Sequence, residues 1–422
     1  MEEVKHIEPF ITNDATVLGM LMALLAFIFY TSSKSDGVWP KFYKVIPALL
    51  LCYFLPSVLN SLGIISGEGS NLYFVASRYL LPSSLVLLCL SIDMKGILKL
   101  GPKAIIMFLA GTLGIIVGGP IAILAVSAFA PEIVGGAGPD EVWRGLATVA
   151  GSWIGGGANQ TAMKEIYGAS DKLFSAMITV DVIVANIWMA FLLIGAGMSE
   201  KVDKFLKADS SAITEVKEKM HQYSLGVAKI PNLTDIMIIC AIGFGGTAIA
   251  HFGSDYITPI MENHKEWLST YRLTSMASGF FWLVVIATII GLALSFTRLK
   301  KYEGAGASKF GSAFLYVLVA TIGMKMDVLA IFDNLGLFLI GIVWMIVHVI
   351  VLLVVAKIIK APFFFVAVGS QANVGGAASA PIVASAFSPA LAPVGVLLAV
   401  FGYAVGTFGA IFCAQIMQAV SP

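Results

Sequence analysis

Two stretches decide the reading of this chain: Ala150-Gly-Ser-Trp-Ile-Gly-Gly-Gly-Ala-Asn-Gln-Thr-Ala162 and Val368-Gly-Ser-Gln-Ala-Asn-Val-Gly-Gly-Ala-Ala-Ser-Ala380. Both carry Gly-Ser, then Gly-Gly-Ala, among apolar residues, with one extra residue in the second copy. Upstream of each, a second pair recurs in the same order: Leu90-Ser-Ile-Asp-Met-Lys95 resembles Ile322-Gly-Met-Lys-Met-Asp327. Each of these closes an apolar run and is followed by another apolar run, the Gly-Ser window and a last apolar run. Shared order over this length points to an internal duplication.

The surroundings of the windows are those of a membrane. The chain has 422 residues, 58% hydrophobic and 12% charged, with a mean hydropathy of +0.91. Soluble domains carry about 25% charged residues, so a cytosolic enzyme and a disordered chain are excluded. A formal net charge of +1 gives no general attraction to nucleic acid. The four cysteines, Cys52, Cys89, Cys240 and Cys413, lie singly in apolar runs and read as small buried hydrophobes.

A crossing helix needs about 20 mostly apolar residues. Ten segments qualify: 15–30, 45–65, 72–92, 104–129, 174–196, 233–252, 274–296, 311–324, 335–358 and 392–417. The windows 142–167 and 362–387 are long enough but rich in Gly, Ser, Asn and Gln. Glu2, Glu3 and Glu8 precede the first apolar run, which reads as a retained helix and not a cleaved leader.

Basic residues orient the chain. If both windows are hairpins that enter and leave on one side, each half has five crossings and the halves are inverted. Eighteen of the 26 basic residues then share one side, in the regions 34–44, 95–103, 201–229, 298–309 and 357–360. Twelve full crossings scatter them. The expectation is an all-α polytopic protein with an N-terminal repeat (1–198), a cytoplasmic loop (199–232) and a C-terminal repeat (233–422). Both termini lie outside a bacterial inner membrane. A crossing broken helix at either window is the alternative.

Irregular backbone at membrane depth leaves N–H and C=O groups that cost several kcal/mol each in hydrocarbon. It survives where protein or a wet cavity supplies partners, and half-helix ends there offer charge to a ligand. The candidate substrate residues are therefore Ser152, Gly156, Gly157, Asn159, Gln160 and Thr161 in the first window. In the second they are Ser370, Gln371, Asn373, Gly375, Gly376 and Ser379. Glycines permit the turns; the Asn and Gln are more than close packing requires. Asp181, in the middle of an apolar helix, is the candidate for the coupling ion with Asn159 and Asn373, and an ion pair with Arg144 or Lys164 is its structural alternative.

Asp93 and Lys325 occupy equivalent repeat positions and read as rim charges. Arg78 and Arg144 read as snorkelling cations that can also attract an anion. His348 reads as a packing residue, with a proton relay as the alternative. His251 and Asp255 are expected at the outer surface. No phosphate-binding loop, zinc motif, nucleophile elbow or filter of potassium-channel type occurs.

On these windows the sequence resembles the sodium/glutamate symporters and the 2-hydroxycarboxylate transporters. It is more closely similar, over nearly its whole length, to a bacterial membrane family known only as a domain of unknown function within that superfamily. Asn159, Gln160, Gln371 and Asn373 depart from the plainer Gly-rich pattern of the glutamate symporters. The resemblance implies a homodimeric secondary transporter with a fixed scaffold and a moving unit that carries the hairpins. The expected activity is transport of a small polar organic solute (amino acid, carboxylate or short peptide) driven by Na⁺, or by H⁺. No other cofactor is expected. An intramembrane enzyme acting on a lipid-linked substrate and a passive channel are the rivals.

Overall fold

The computed structural model describes residues 9–46, 48–67, 69–209, 213, 230–270, 273–325, 336–388 and 391–422. Among them every extended element is a helix, apart from one isolated parallel bridge between Ile11 and Ile65. The main helices are α1 (Asp14–Ser32), α2 (Ala48–Ser61), α3 (Leu72–Leu90), α4 (Pro102–Ser127), α5 (Val142–Tyr167), α6 (Asp171–Gly197), α7 (Leu233–Glu262), α8 (Gly279–Ser295), α9 (Ala307–Gly323), α10 (Gly336–Ile359), α11 (Phe363–Val374), α12 (Gly376–Phe387) and α13 (Ala392–Val420).

Their starts follow local chemistry. Asn13 caps α1 by accepting from Thr16 N at 3.1 Å, and Ser170 caps α6 by accepting from Leu173 N at 3.0 Å. Asn232 and Asp235 form a reciprocal capping box on α7. Pro102 opens α4 after Gly101, whose φ of +83° sets the turn. One wide turn, Ala76–Leu80, interrupts α3 and carries Arg78.

Seven of these helices are long and apolar enough to cross a membrane: α1, α3, α4, α6, α7, α10 and α13. Two expected spans are shorter than the sequence suggests, and a third is shifted. Segment 45–65 contains only the 14 residues of α2. Its last apolar residues serve the bridge instead, where Phe10 N donates to Gly63 O and Ile11 N to Ile64 O, each at 2.9 Å. Segment 274–296 begins as a 3-10 turn, Thr274–Ala277, and becomes helical at Gly279. Segment 311–324 is shifted: its helix, α9, starts earlier, at Ala307, and ends at Gly323. Asp327 and most of the loop 199–232 lie outside the described residues.

Two groups of helices pack within themselves. One contains α1, α2, α3, α7, α8 and α9; the other contains α4, α5, α6 and α10 to α13. In the second group α4 and α10 are antiparallel: His348 Nδ1 bonds Gly111 O at 3.0 Å, and Trp344 Nε1 donates to Ile115 O at 2.8 Å. Gly111, Gly114 and Gly118 sit at this seam, where a Cβ would stand within 3.5 Å of His348 or Trp344. The groups meet where Thr288 on α8 and Thr407 on α13 bond through their hydroxyls at 3.1 Å.

Candidate functional site

The window 142–167 is a single helix by its ladder, but its backbone leaves the helical region at Gly156, with φ +75° and ψ −175°. The chain reverses there. Arg144 Nη1 near the start of α5 donates to Tyr167 O at its end. A Cβ on Gly151 would lie 2.6 Å from Asn159 O, so the two limbs touch backbone to backbone. The second window reverses between α11 and α12. Gly376 there has φ +60°, and the Phe364 and Phe387 rings meet edge-on at 5.3 Å. Both reversals use a glycine in the left-handed region, which side chains disfavour.

Asp181, 4% exposed on α6, closes the first reversal. Its Oδ2 accepts from Ser152 Oγ at 2.6 Å and Gln160 Nε2 at 2.9 Å, and its Oδ1 accepts from Trp153 Nε1 at 2.7 Å. The donors come from both limbs, so the carboxylate staples them together. The ion pair that was the structural alternative for it does not form: Arg144 pairs with Glu141 at 2.8 Å and Lys164 with Asp171 at 2.7 Å. Thr179 and Asn186 bond carbonyls of their own helix and take no part.

Asn159 and Asn373 are fully buried and bonded alike. Asn159 Nδ2 donates to Gly155 O and Tyr403 O, each at 3.0 Å, and Oδ1 accepts from Thr407 at 2.6 Å. Asn373 Nδ2 donates to Gly369 O and Phe108 O, each at 2.9 Å, and Oδ1 accepts from Thr112 at 2.7 Å. Each amide thus joins a hairpin to a long helix, α13 or α4. These bonds satisfy the carbonyls that irregular backbone exposes.

Ser370 holds the second hairpin in another way. Gly111 O can only accept, so His348 carries its proton on Nδ1 and Nε2 accepts from Ser370 Oγ at 2.8 Å. Trp188 Nε1 donates to the same Oγ at 2.8 Å. Both ring nitrogens of His348 are thus bonded. Gln371 Nε2 donates to Ser379 Oγ at 2.7 Å across the limbs, while its Oε1 is buried without a partner.

Thr161 bonds Gly157 O within its limb. The tips leave room. A Cβ on Gly376 meets nothing within 4 Å, and on Gly156 and Gly157 only Tyr403 and Leu315, each at 3.7 Å. Gly375, by contrast, is crowded by Gln371 and Ser379. The fully buried Tyr53 hydroxyl of α2 faces the Thr161 side chain of the first window.

The remaining charges have addresses. Asp93 pairs with Lys300. Lys325 stands 4.5 Å over the Tyr73 ring, which also bonds Glu165. Arg78 does not snorkel freely: it pairs with Glu165 at 3.0 Å, and His251 bonds its carbonyl at 2.8 Å. Glu165 belongs to the first hairpin and Arg78 to the other helix group, so this pair spans the boundary. Arg78 is about a third exposed, which screens it. Arg78→Ala and Glu165→Gln should each lower stability by about 1–2 kcal/mol. The double variant should cost clearly less than their sum, and additive shifts in thermal midpoint would show that the two do not interact.

Sequence reading missed Trp153, Thr112, Thr407, Trp188 and Tyr53. Each is a lone polar group on an apolar helix, with no spacing to mark it.

The chain matches the DUF819 family, described as a protein of unknown function, across residues 19–420. A protein of Bacillus subtilis (strain 168), described as Uncharacterized membrane protein YjcL, is 23% identical over 398 residues, 91% of this chain and 94% of that one.

Proposed function

We propose that this chain, which belongs to the DUF819 family of proteins of unknown function, is a secondary active transporter coupling a Na⁺ gradient to movement of a small polar organic solute. The carrying observation is the pair of glycine-turned helical hairpins based at opposite ends of α13. Trp143 and Arg144, at the base of the first, line a 370 Å³ pocket with Gln418 and Ser421 at the C-terminal end of α13. The second ends a few residues before α13 begins, and Asp203 of the loop 199–232 accepts from Phe363 N at its start at 2.7 Å. Opposed re-entrant hairpins of this kind put half-helix ends near the midplane, where a solute and a cation can bind together.

Two observations support inverted five-crossing halves. Equivalent helices run oppositely where they meet, as α4 and α10 do. α3 and α9 do the same, since Gly311 packs on Leu87 and Lys325 on Tyr73. Contacts also come in matched pairs: α1 with α2 as α7 with α8, α1 with α9 as α7 with α3, and α2 with α9 as α8 with α3. In this reading the group of α4–α6 and α10–α13 moves and the other group is fixed, within a homodimer in the bacterial inner membrane.

The tip residues Gly156, Gly157, Gly376 and Gln371 face the solute. Asp181 supplies a carboxylate at depth, with Asn159 and Asn373 fixing the hairpin backbones around the ion. Neutral oxygens dominate the lining, which favours Na⁺ over H⁺. The chain acts as a carrier and not an enzyme: Asp181 and His348 serve separate hairpins and form no acid–base pair. In proteoliposomes, a panel of amino acids, carboxylates and short peptides should include a solute taken up saturably only with an inward Na⁺ gradient. Uptake that follows the solute's own gradient without saturation would make the chain a channel.

A further inference from the structure

A second binding site lies away from the hairpins. Between α1 and α9 runs a groove of about 440 Å³. Its polarity is graded. The α9 end holds Ser308 and Lys309, just after the basic turn Arg298–Glu303. The rest is walled by Leu25, Ala313 and Val317, with Phe29 and Tyr316 in edge contact at 4.6 Å.

Lys309 is exposed, and among the described residues it makes no ion pair. Glu303, which interacts with it through space, bonds Ser308 instead: its oxygens accept from Ser308 N at 3.0 Å and Ser308 Oγ at 2.6 Å. Burial raises the Glu303 carboxyl above its ordinary range, against the pull of Ser308 and of Lys309. The ammonium feels Glu303 without pairing with it, and stands at one end of an apolar trough.

We propose that this groove binds one anionic phospholipid, its phosphate on Lys309 and an acyl chain along Leu25, Ala313 and Val317. A lysine at the membrane boundary reaches an anionic headgroup at little cost in packing. A second copy of the chain is the poorer occupant. It would press Lys309 against protein and take an unpaired ammonium out of water.

The full-length protein, purified in mild detergent, is titrated with phosphatidylglycerol and with phosphatidylcholine of the same acyl chains. Native mass spectrometry reads bound lipid, and the thermal midpoint reads its effect. Phosphatidylglycerol should bind about fivefold more tightly and raise the midpoint. Lys309→Gln, a surface change that leaves the fold intact, should remove that preference while weak binding of both lipids persists. Ala313→Trp should fill the trough and abolish both. Equal binding of the two lipids, or a preference unchanged in Lys309→Gln, overturns the proposal. So does an Ala313→Trp variant that loses a dimer but keeps its lipid. None of these readouts depends on transport.

Discussion

Asp181→Ala should be among the most damaging single substitutions in the chain, lowering stability by about 2–4 kcal/mol. Three donors, Ser152, Trp153 and Gln160, lose their acceptor at once. Each orphaned buried donor costs roughly 1–3 kcal/mol. Relief of the carboxylate's own desolvation offsets part of this, as does rotation of Ser152 to another acceptor. Asp181→Asn should behave differently. Its Oδ1 can take the Trp153 proton, its Nδ2 can donate to Ser152 Oγ, and Gln160 can turn its Oε1 to meet the second Nδ2 proton. The staple survives without the charge. The thermal midpoint in detergent should therefore fall steeply for Ala and little for Asn. Transport should separate the roles in the opposite way. Asp181→Asn should fold, yet lose Na⁺ dependence of uptake. An Asn variant with normal uptake and unchanged ion dependence would leave Asp181 a staple and nothing more.

The hairpin windows were legible because they break the rules of their surroundings. A run such as Gly155-Gly-Gly157 inside an apolar stretch has no propensity reason to be there, and the structure uses its middle residue at φ +75°. The seven long helices were legible for the ordinary reason that hydropathy integrates over 20 residues. That same integration hid the ends of α2 and α8. Ile64 and Ile65 raise the local hydropathy as any helical residue would, but Ile64 O accepts from Ile11 N and Ile65 forms the bridge with Ile11, contacts that span more than 50 positions. The partners of buried polar groups were least legible. Asp181 lies 28 and 29 residues from Trp153 and Ser152, and Thr407 lies 248 from Asn159. The structural alternative for Asp181 was an ion pair with Arg144 or Lys164. Those cations stand near the base of the hairpin, where Glu141 and Asp171 reach them first. At depth, neutral donors on the facing limbs were the only groups close enough.

Gly406→Leu should be as disruptive as the loss of Asp181, by a different route. Gly406 on α13 and Gly155 at the end of the first limb touch backbone to backbone, and a Cβ on Gly406 would also come within 2.8 Å of Asn159 Nδ2. Nothing flexible can move aside. The hairpin and α13 must separate, which breaks the Asn159 bonds to Tyr403 O and Thr407. Overpacking of a side-chain core costs typically 1–3 kcal/mol. Here backbone bonds are lost as well, so about 3 kcal/mol or more is expected, read as a large fall in thermal midpoint. The tip gives the contrast. Gly157 has no positive φ, and a Cβ there meets only Leu315 at 3.7 Å. Gly157→Ala should change stability by less than about 1 kcal/mol. It narrows the space beside the tip, so uptake should fall while the thermal midpoint holds. A Gly406→Leu protein with a normal midpoint would mean that hairpin and α13 do not sit this close. A Gly157→Ala protein with unaltered uptake would place the solute away from the first tip.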